Sequence, residues 1–163
     1  MTIKDYPQLP AFTQAEIEFF LSKPLVARLG SINEDGTIHL TPIYFKYEKN
    51  EFILGTQVAS RRTRNIKRNP NVTLLIDDTN SPYQAVMVYG KAVLNYEDVL
   101  QKRTAILEKY ETKEEAIKDA QGLCKRWSSV IIQIQPDRIV SFDYSKAGLI
   151  EYPPRNLQTS ELK

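Results

Sequence analysis

Arg61, Arg62, Arg64, Lys67 and Arg68 put five basic side chains within eight positions, inside a stretch from Phe52 to Ile76 that contains no acidic residue. The whole chain carries a net charge of only +2, so this is a local concentration of charge. An apolar run, Phe52-Ile53-Leu54-Gly55-Thr56, leads into it, and the residues from Ala59 to Asn69 read as a helix. A strand running into a helix that opens with Ser60-Arg61-Arg62 is suited to hold a phosphate. Free backbone N–H groups and the positive dipole end face the anion, and guanidinium forks add charge-assisted hydrogen bonds. At about 100° per residue, Arg61, Arg64 and Arg68 share one side, while Arg62 lies near Ile66, on the side that must face the core. An arginine facing a core needs an anion, and its acid-free neighbourhood offers none. Three readings stay open on these residues alone: a solvated helix face, a site for a phosphate-bearing small molecule, and a nucleic-acid patch. The absence of aromatic residues interleaved in the Arg61–Arg68 run counts against the last.

Thr41-Pro42-Ile43 forms a second candidate. Proline inside a strand removes a ladder donor, so it belongs on an edge or beside a bound group. The polar backbone groups of Thr41 and Ile43 are then free for something planar, or the proline simply protects an edge. His39 is the only histidine and Cys124 the only cysteine, so neither a metal cluster nor an internal disulfide is expected. No Ser-His-Asp set, paired carboxylates, Gly-x-Gly-x-x-Gly run or Walker loop stands out. With no evident acid, base or nucleophile, any chemistry is expected to belong to a cofactor.

The 163 residues suit one domain with a real core. No apolar run is long enough to cross a membrane, and the N-terminus lacks a secretory layout, so a cytoplasmic protein is expected. Residues 1–12 read as an irregular arm. Thr13 to Ser22 reads as a helix with a Thr13/Glu16 capping box. Strands are predicted at Leu25 to Asn33, Thr37 to Tyr47, Glu51 to Thr56, Val72 to Asp77, Tyr83 to Tyr96, Ser129 to Gln135 and Arg138 to Asp143. Turns lie at Asn33–Gly36, Glu48–Asn50, Asp78–Pro82 and Pro136–Asp137. The return strand should put His39, Thr41, Ile43 and Phe45 on one face and Ile38, Leu40, Pro42 and Tyr44 on the other. Gly90 suggests a bulge. Two helices are predicted at Glu97 to Tyr110 and Lys113 to Lys125, and 150–163 reads as a tail. The expected fold is mainly β with peripheral helices: six to seven mostly antiparallel strands in meander order, closed into a small barrel.

The run from Leu25 to Leu94 resembles the pyridoxamine-phosphate-oxidase-like family of flavin-binding split β-barrels. The matching pieces are Val26-Ala27-Arg28-Leu29-Gly30, Asp35-Gly36, Thr41-Pro42-Ile43-Tyr44-Phe45, Leu54-Gly55-Thr56, Ser60-Arg61-Arg62, Asn65, Asn69-Pro70-Asn71-Val72 and the strand holding Gly90, with Pro136 to Asp143 as the closing strand. The resemblance implies a homodimer with FMN, or the deazaflavin F420, at the subunit interface, and a small organic substrate. It implies that Ser60, Arg61 and Arg62 hold the phosphate, that Thr41, Pro42 and Ile43 line the ring, and that Gly55 and Thr56 border ring and tail. Gln84 would reach in from the partner subunit. Leu40, Phe45 and Ala85 stand where the oxidase proper tends to have Arg, Lys and Gln, which points away from pyridoxamine phosphate oxidation itself. The resemblance thus implies a flavin- or F420-dependent oxidoreductase, or a flavin or F420 binder without catalysis.

Overall fold

The structure is a computed structural model that describes residues 10–149; most of the expected arm (1–9) and the whole tail (150–163) lie outside the described residues. Thr13 caps α1 (Gln14–Ser22) with the expected capping box: its hydroxyl accepts from the Glu16 N–H, and the Glu16 carboxylate accepts from its own N–H. This helix buries Ile17, Phe20 and Leu21. Hairpin strands β1 (Ala27–Ile32) and β2 (Ile38–Ile43) follow, joined by a turn in which Gly36 has φ 83, a conformation open to glycine.

The strand expected over 37–47 is in fact two. β2 pairs with β1, Tyr44 intervenes, and β3 (Phe45–Glu48) pairs instead with β4 (Glu51–Gln57). A tight turn with Lys49 at φ 52 and Asn50 at φ 60 joins β3 to β4. Next come α2 (Arg61–Arg68), β5 (Asn71–Asp78), β6 (Gln84–Asn95), α3 (Val99–Leu107), α4 (Lys113–Arg126) and β7 (Ser129–Asp143), then a short 3₁₀ turn at Tyr144–Leu149.

The sheet order is β2-β1-β5-β6-β7-β4-β3, all neighbours antiparallel, so the expected meander is replaced by a sheet with long-range pairs β1·β5 and β4·β7. The order also explains the curvature. β2 and β3 are the two edges, yet Tyr44 alone separates them in the chain. Consecutive Cα atoms lie about 3.8 Å apart, so the edges must meet and the sheet must curl into a half-barrel. The two strands expected at Ser129–Gln135 and Arg138–Asp143 are one, and Pro136 makes no turn. It sits opposite Gly90, where the β6–β7 register shifts. A bulge is where a strand tolerates a residue without a donor. A Cβ on Gly90 would stand 2.5 Å from the Gln135 carbonyl oxygen, so only glycine fits there. The strand count is therefore seven, through a different partition of the chain.

β4 shows how the layers form. Phe52 and Leu54 point into the barrel with Phe45, Leu74, Ile132 and Ile134, while Ile53 points outward against Ile106 of α3. Leu107, Ala116 and Ala120 then bind α3 to α4. The helix pair thus lies on the outer face of the β4 end of the sheet.

Candidate functional site

A cleft of about 690 Å³ opens between that helix pair and the sheet. Pro42, Ile43 and Tyr44 form one wall, Gly55, Thr56 and Gln57 the floor, and Ser60 and Arg62 one end. Arg103, Glu111, Asp119, Arg126 and Trp127, from α3, α4 and the residues around them, form the opposite wall.

The sequence builds each wall for a local reason. Tyr110, in the elbow between α3 and α4, fixes the first. Its hydroxyl accepts from the Phe45 N–H at 3.1 Å and reaches the carbonyls of Leu25 at 2.9 Å and Phe45 at 3.0 Å. Its ring stacks on Tyr44 with centroids 4.0 Å apart. The crossing from β2 to β3 is thereby held against the helices. Lys109 adds a bond to the Leu21 carbonyl at 2.8 Å, with its ammonium 3.3 Å from the centre of the Phe45 ring. Burial lowers the pKa of this ammonium from 10.5 to about 7 and raises that of the Tyr110 phenol from 10.0 to about 12.

At the end of the cleft, Ser60 caps α2 by accepting from the Thr63 N–H at 3.3 Å. The Thr63 hydroxyl donates to the Gln57 carbonyl at 2.8 Å, and the Thr56 and Ser60 hydroxyls lie 3.3 Å apart. Farther along α2, buried Asn65 donates to Ser31 Oγ at 3.1 Å and Asn33 Oδ1 at 3.0 Å, and Arg68 donates to the Ile32 carbonyl at 2.6 Å. The helix is bolted to β1 while its first turn faces the cleft.

Arg62 is half-buried there, as its place beside Ile66 implied. Its one side-chain hydrogen bond among the described residues is a long one, Nη1 to the Pro42 carbonyl at 3.4 Å. No carboxylate lies within ion-pair distance of any of the five basic residues among the described residues. Burial lowers the Arg62 pKa, and the charges of Arg61 and Arg62 add to burial in lowering that of His39. Arg61, Arg64 and Lys67 are exposed, so the solvated-face reading holds for them.

Six of the nine residues singled out in the sequence line this cleft: Pro42, Ile43, Gly55, Thr56, Ser60 and Arg62. Thr41 lies next to it, with a buried hydroxyl that has no partner among the described residues. Arg61 stays at the surface of the α2 first turn. Gln84 lies apart, opposite Asp143 at the start of β6. Sequence reasoning missed Arg103, Glu111 and Arg126. Arg103 was detectable by the argument used for Arg62, since Ile106 and Leu107 follow it at helical spacing and force it toward the core.

The family model described as pyridoxamine 5'-phosphate oxidase matches residues 13–139, from the α1 cap into the second half of β7. The chain belongs to this family. No curated protein matches it. Among solved structures, the conserved hypothetical protein Rv2991 from Mycobacterium tuberculosis is 24% identical, with a TM-score of 0.74, covering 92% of this chain and 96% of that one. An F420 reductase is 21% identical, with a TM-score of 0.60, covering 75% of this chain and 94% of that one. The heme storage protein HutZ from Vibrio cholerae is 16% identical, with a TM-score of 0.63, covering 78% of this chain and 94% of that one. At these identities the likeness is one of fold. Ser60, Arg61 and Arg62 stand at the N-terminus of α2. No helix among the described residues is long and apolar enough to cross a membrane. No group of three or more potential metal ligands occurs among them either.

Proposed function

We propose that the protein is a flavin-dependent oxidoreductase that binds FMN in this cleft and acts on a small organic substrate. The observation that carries the proposal is Arg62: half-buried at the cleft end, beside a capped helix N-terminus, with only a long bond to the Pro42 carbonyl among the described residues. The residues fit the cofactor's parts. The N–H groups of the first turn of α2, with Arg61 and Arg62, would take the phosphate. The Thr41–Ile43 backbone on edge strand β2 would meet the ring, and the unpartnered Thr41 hydroxyl is a further polar group beside it. Bound FMN would supply the hydride chemistry, while the protein binds, orients and tunes it. A positive charge beside the ring favours its anionic reduced form.

Pyridoxamine phosphate oxidation itself fits poorly. Phe45, which replaces the oxidase's lysine, is fully buried in the barrel, and Leu40, which replaces its arginine, is an exposed apolar side chain. The F420 reductase among the fold neighbours keeps F420 as the alternative cofactor. A homodimer completes the proposal. Ile38, 71% exposed, and Leu40, 60% exposed, make an apolar face on edge strand β2 next to Pro42, which a second copy would cover. Gln84 of such a copy is the residue proposed to reach the cofactor.

The test is a visible absorption spectrum after incubation with FMN or with F420 and desalting. Retained flavin absorbance supports the proposal, and retained deazaflavin absorbance moves it to F420. A colourless protein after both incubations overturns it and sends the basic helix to be tested against nucleic acid. With the cofactor bound, turnover of a reductant separates an enzyme from a carrier.

A further inference from the structure

Arg103 is the most enclosed basic residue among the described residues, 8% exposed, and it lines the cleft. It has no ion pair within the described residues, and its buried Nε has no hydrogen-bond partner. An isolated buried cation is costly, so such groups are normally paired. Glu111 shares the same cleft, and its buried Oε2 is also without a partner, so these two opposite charges do not satisfy one another.

The side chain is held in this position from below. It lies over Gly55: a Cβ there would stand 3.1 Å from Arg103 Cγ and 3.3 Å from its guanidinium carbon. Glycine at 55 therefore makes room for the arginine. Side chains alternate along a strand, so Gly55 shares the outward face of β4 with Ile53, while Thr56, which meets Ser60, turns the other way. Arg103 belongs to the helix-pair side of the cleft and Arg62 to the α2 end. Arg126 stands on the same wall as Arg103.

We infer that Arg103 is the core of a second oxyanion subsite, separate from the phosphate position at α2, which receives a carboxylate or phosphate group of the molecule bound beside the cofactor or of the cofactor's own tail. The inference rests on the functional reading above for the occupant of the rest of the cleft, though not for the subsite itself. A planar guanidinium with free donors suits a bidentate oxyanion, and its burial strengthens that contact.

The experiment compares wild type with Arg103→Met, Arg103→Lys and Arg62→Ala. FMN and riboflavin are titrated by quenching of flavin fluorescence, and F420 by its absorbance. Inorganic phosphate and succinate are titrated into the FMN-loaded protein, read by the shift in the flavin spectrum. Phosphate is also titrated into the cofactor-free protein, read by thermal shift. Arg103→Met should weaken phosphate or succinate binding at least about tenfold and leave FMN affinity within about twofold, with Arg103→Lys in between. If F420 affinity alone falls tenfold, the oxyanion comes from the cofactor's tail; if the added anion is lost, it comes from a second molecule. Either result supports the subsite. Equal affinities for every probe in wild type and Arg103→Met overturn it. A loss of FMN affinity matching that of Arg62→Ala, with riboflavin unaffected, also overturns it, because Arg103 would then serve the one phosphate site. If wild type holds neither FMN nor F420, the functional reading fails, and the phosphate titration of the cofactor-free protein still decides the subsite. Circular dichroism confirms that each variant is folded, and Arg103→Lys carries the test if Arg103→Met is not.

Discussion

The underside of α2 and the cleft wall facing it use the same kinds of residue to opposite ends. Under α2, both buried polar side chains have their partners, Thr63 with Gln57 and Ser60 and Asn65 with Ser31 and Asn33, and the exposed Arg68 adds a bond to Ile32. Facing the cleft, Arg103, Glu111 and nearby Thr41 each leave a buried atom without a partner among the described residues, and Arg62, at the α2 end, has a single long bond there. Buried polar groups that are fully paired rigidify a fold, while those left open are expected to meet something from outside. The contrast separates anchoring residues from binding residues within one short segment. Substitutions on the paired side should cost stability, and those on the open side should cost binding.

The largest effect is expected on the paired side. Asn65→Leu removes two donated bonds and the bond it accepts from Arg68, and should destabilise the protein by roughly 3 kcal/mol. A urea midpoint measures this. A loss below about 0.5 kcal/mol would mean that the network is not an anchor. Next, Arg62→Ala should weaken FMN binding by about 1.5–3 kcal/mol, as for a lost charged hydrogen bond, while the urea midpoint hardly moves. An intact fold with unchanged FMN retention would remove Arg62 from the phosphate site.

The elbow that joins the two sides supplies a pH test. Lys109 has a pKa near 7 in the fold and 10.5 as its ordinary value, so between these pH values the unfolded chain binds more protons. Stability should therefore rise with pH from about 7 toward 10, the penalty for burying the charge being complete below 7. Tyr110 works oppositely: its raised pKa gives stability that is present below pH 10 and lost as pH passes about 12. Lys109→Met should flatten the rise between pH 7 and 10 in thermal scans. An unchanged slope would show that Lys109 is not the titrating group. The smallest effect belongs to Gly55→Ala, whose Cβ would crowd Arg103 Cγ at 3.1 Å. About 1 kcal/mol of stability should be lost, together with a weaker response to added anions.

The sequence announced the open side only in part. Arg62 was legible because Ile66 follows it on the core-facing side of a helix with no acid nearby. Arg103 likewise has core residues, Ile106 and Leu107, following it at helical spacing, but Glu97, Asp98, Glu108 and Glu111 stand near it in sequence and a single arginine among the polar residues of α3 makes no cluster. The capping box at Thr13 and the bulge at Gly90 were readable because each depends on residues close in sequence or on one steric fact. The break at Tyr44 and the continuity of β7 through Pro136 were not. The first follows from a change of partner at Tyr44, β1 for β2 but β4 for β3, and the second from pairing with β6, distant in the chain; local alternation records neither. The apolar alternation of 37–47 was right on both sides of Tyr44, with Ile43 and Phe45 buried and Ile38, Leu40 and Pro42 exposed. It simply passes from one sheet edge to the other without losing phase.

The most direct test of the account is the ratio of FMN to riboflavin affinity, measured by fluorescence quenching in wild type and in Arg62→Ala. The two ligands differ by the phosphate alone. The account predicts that wild type prefers FMN by at least about tenfold and that Arg62→Ala loses most of this preference while keeping its affinity for riboflavin. Equal binding of FMN and riboflavin by the wild-type protein would contradict it.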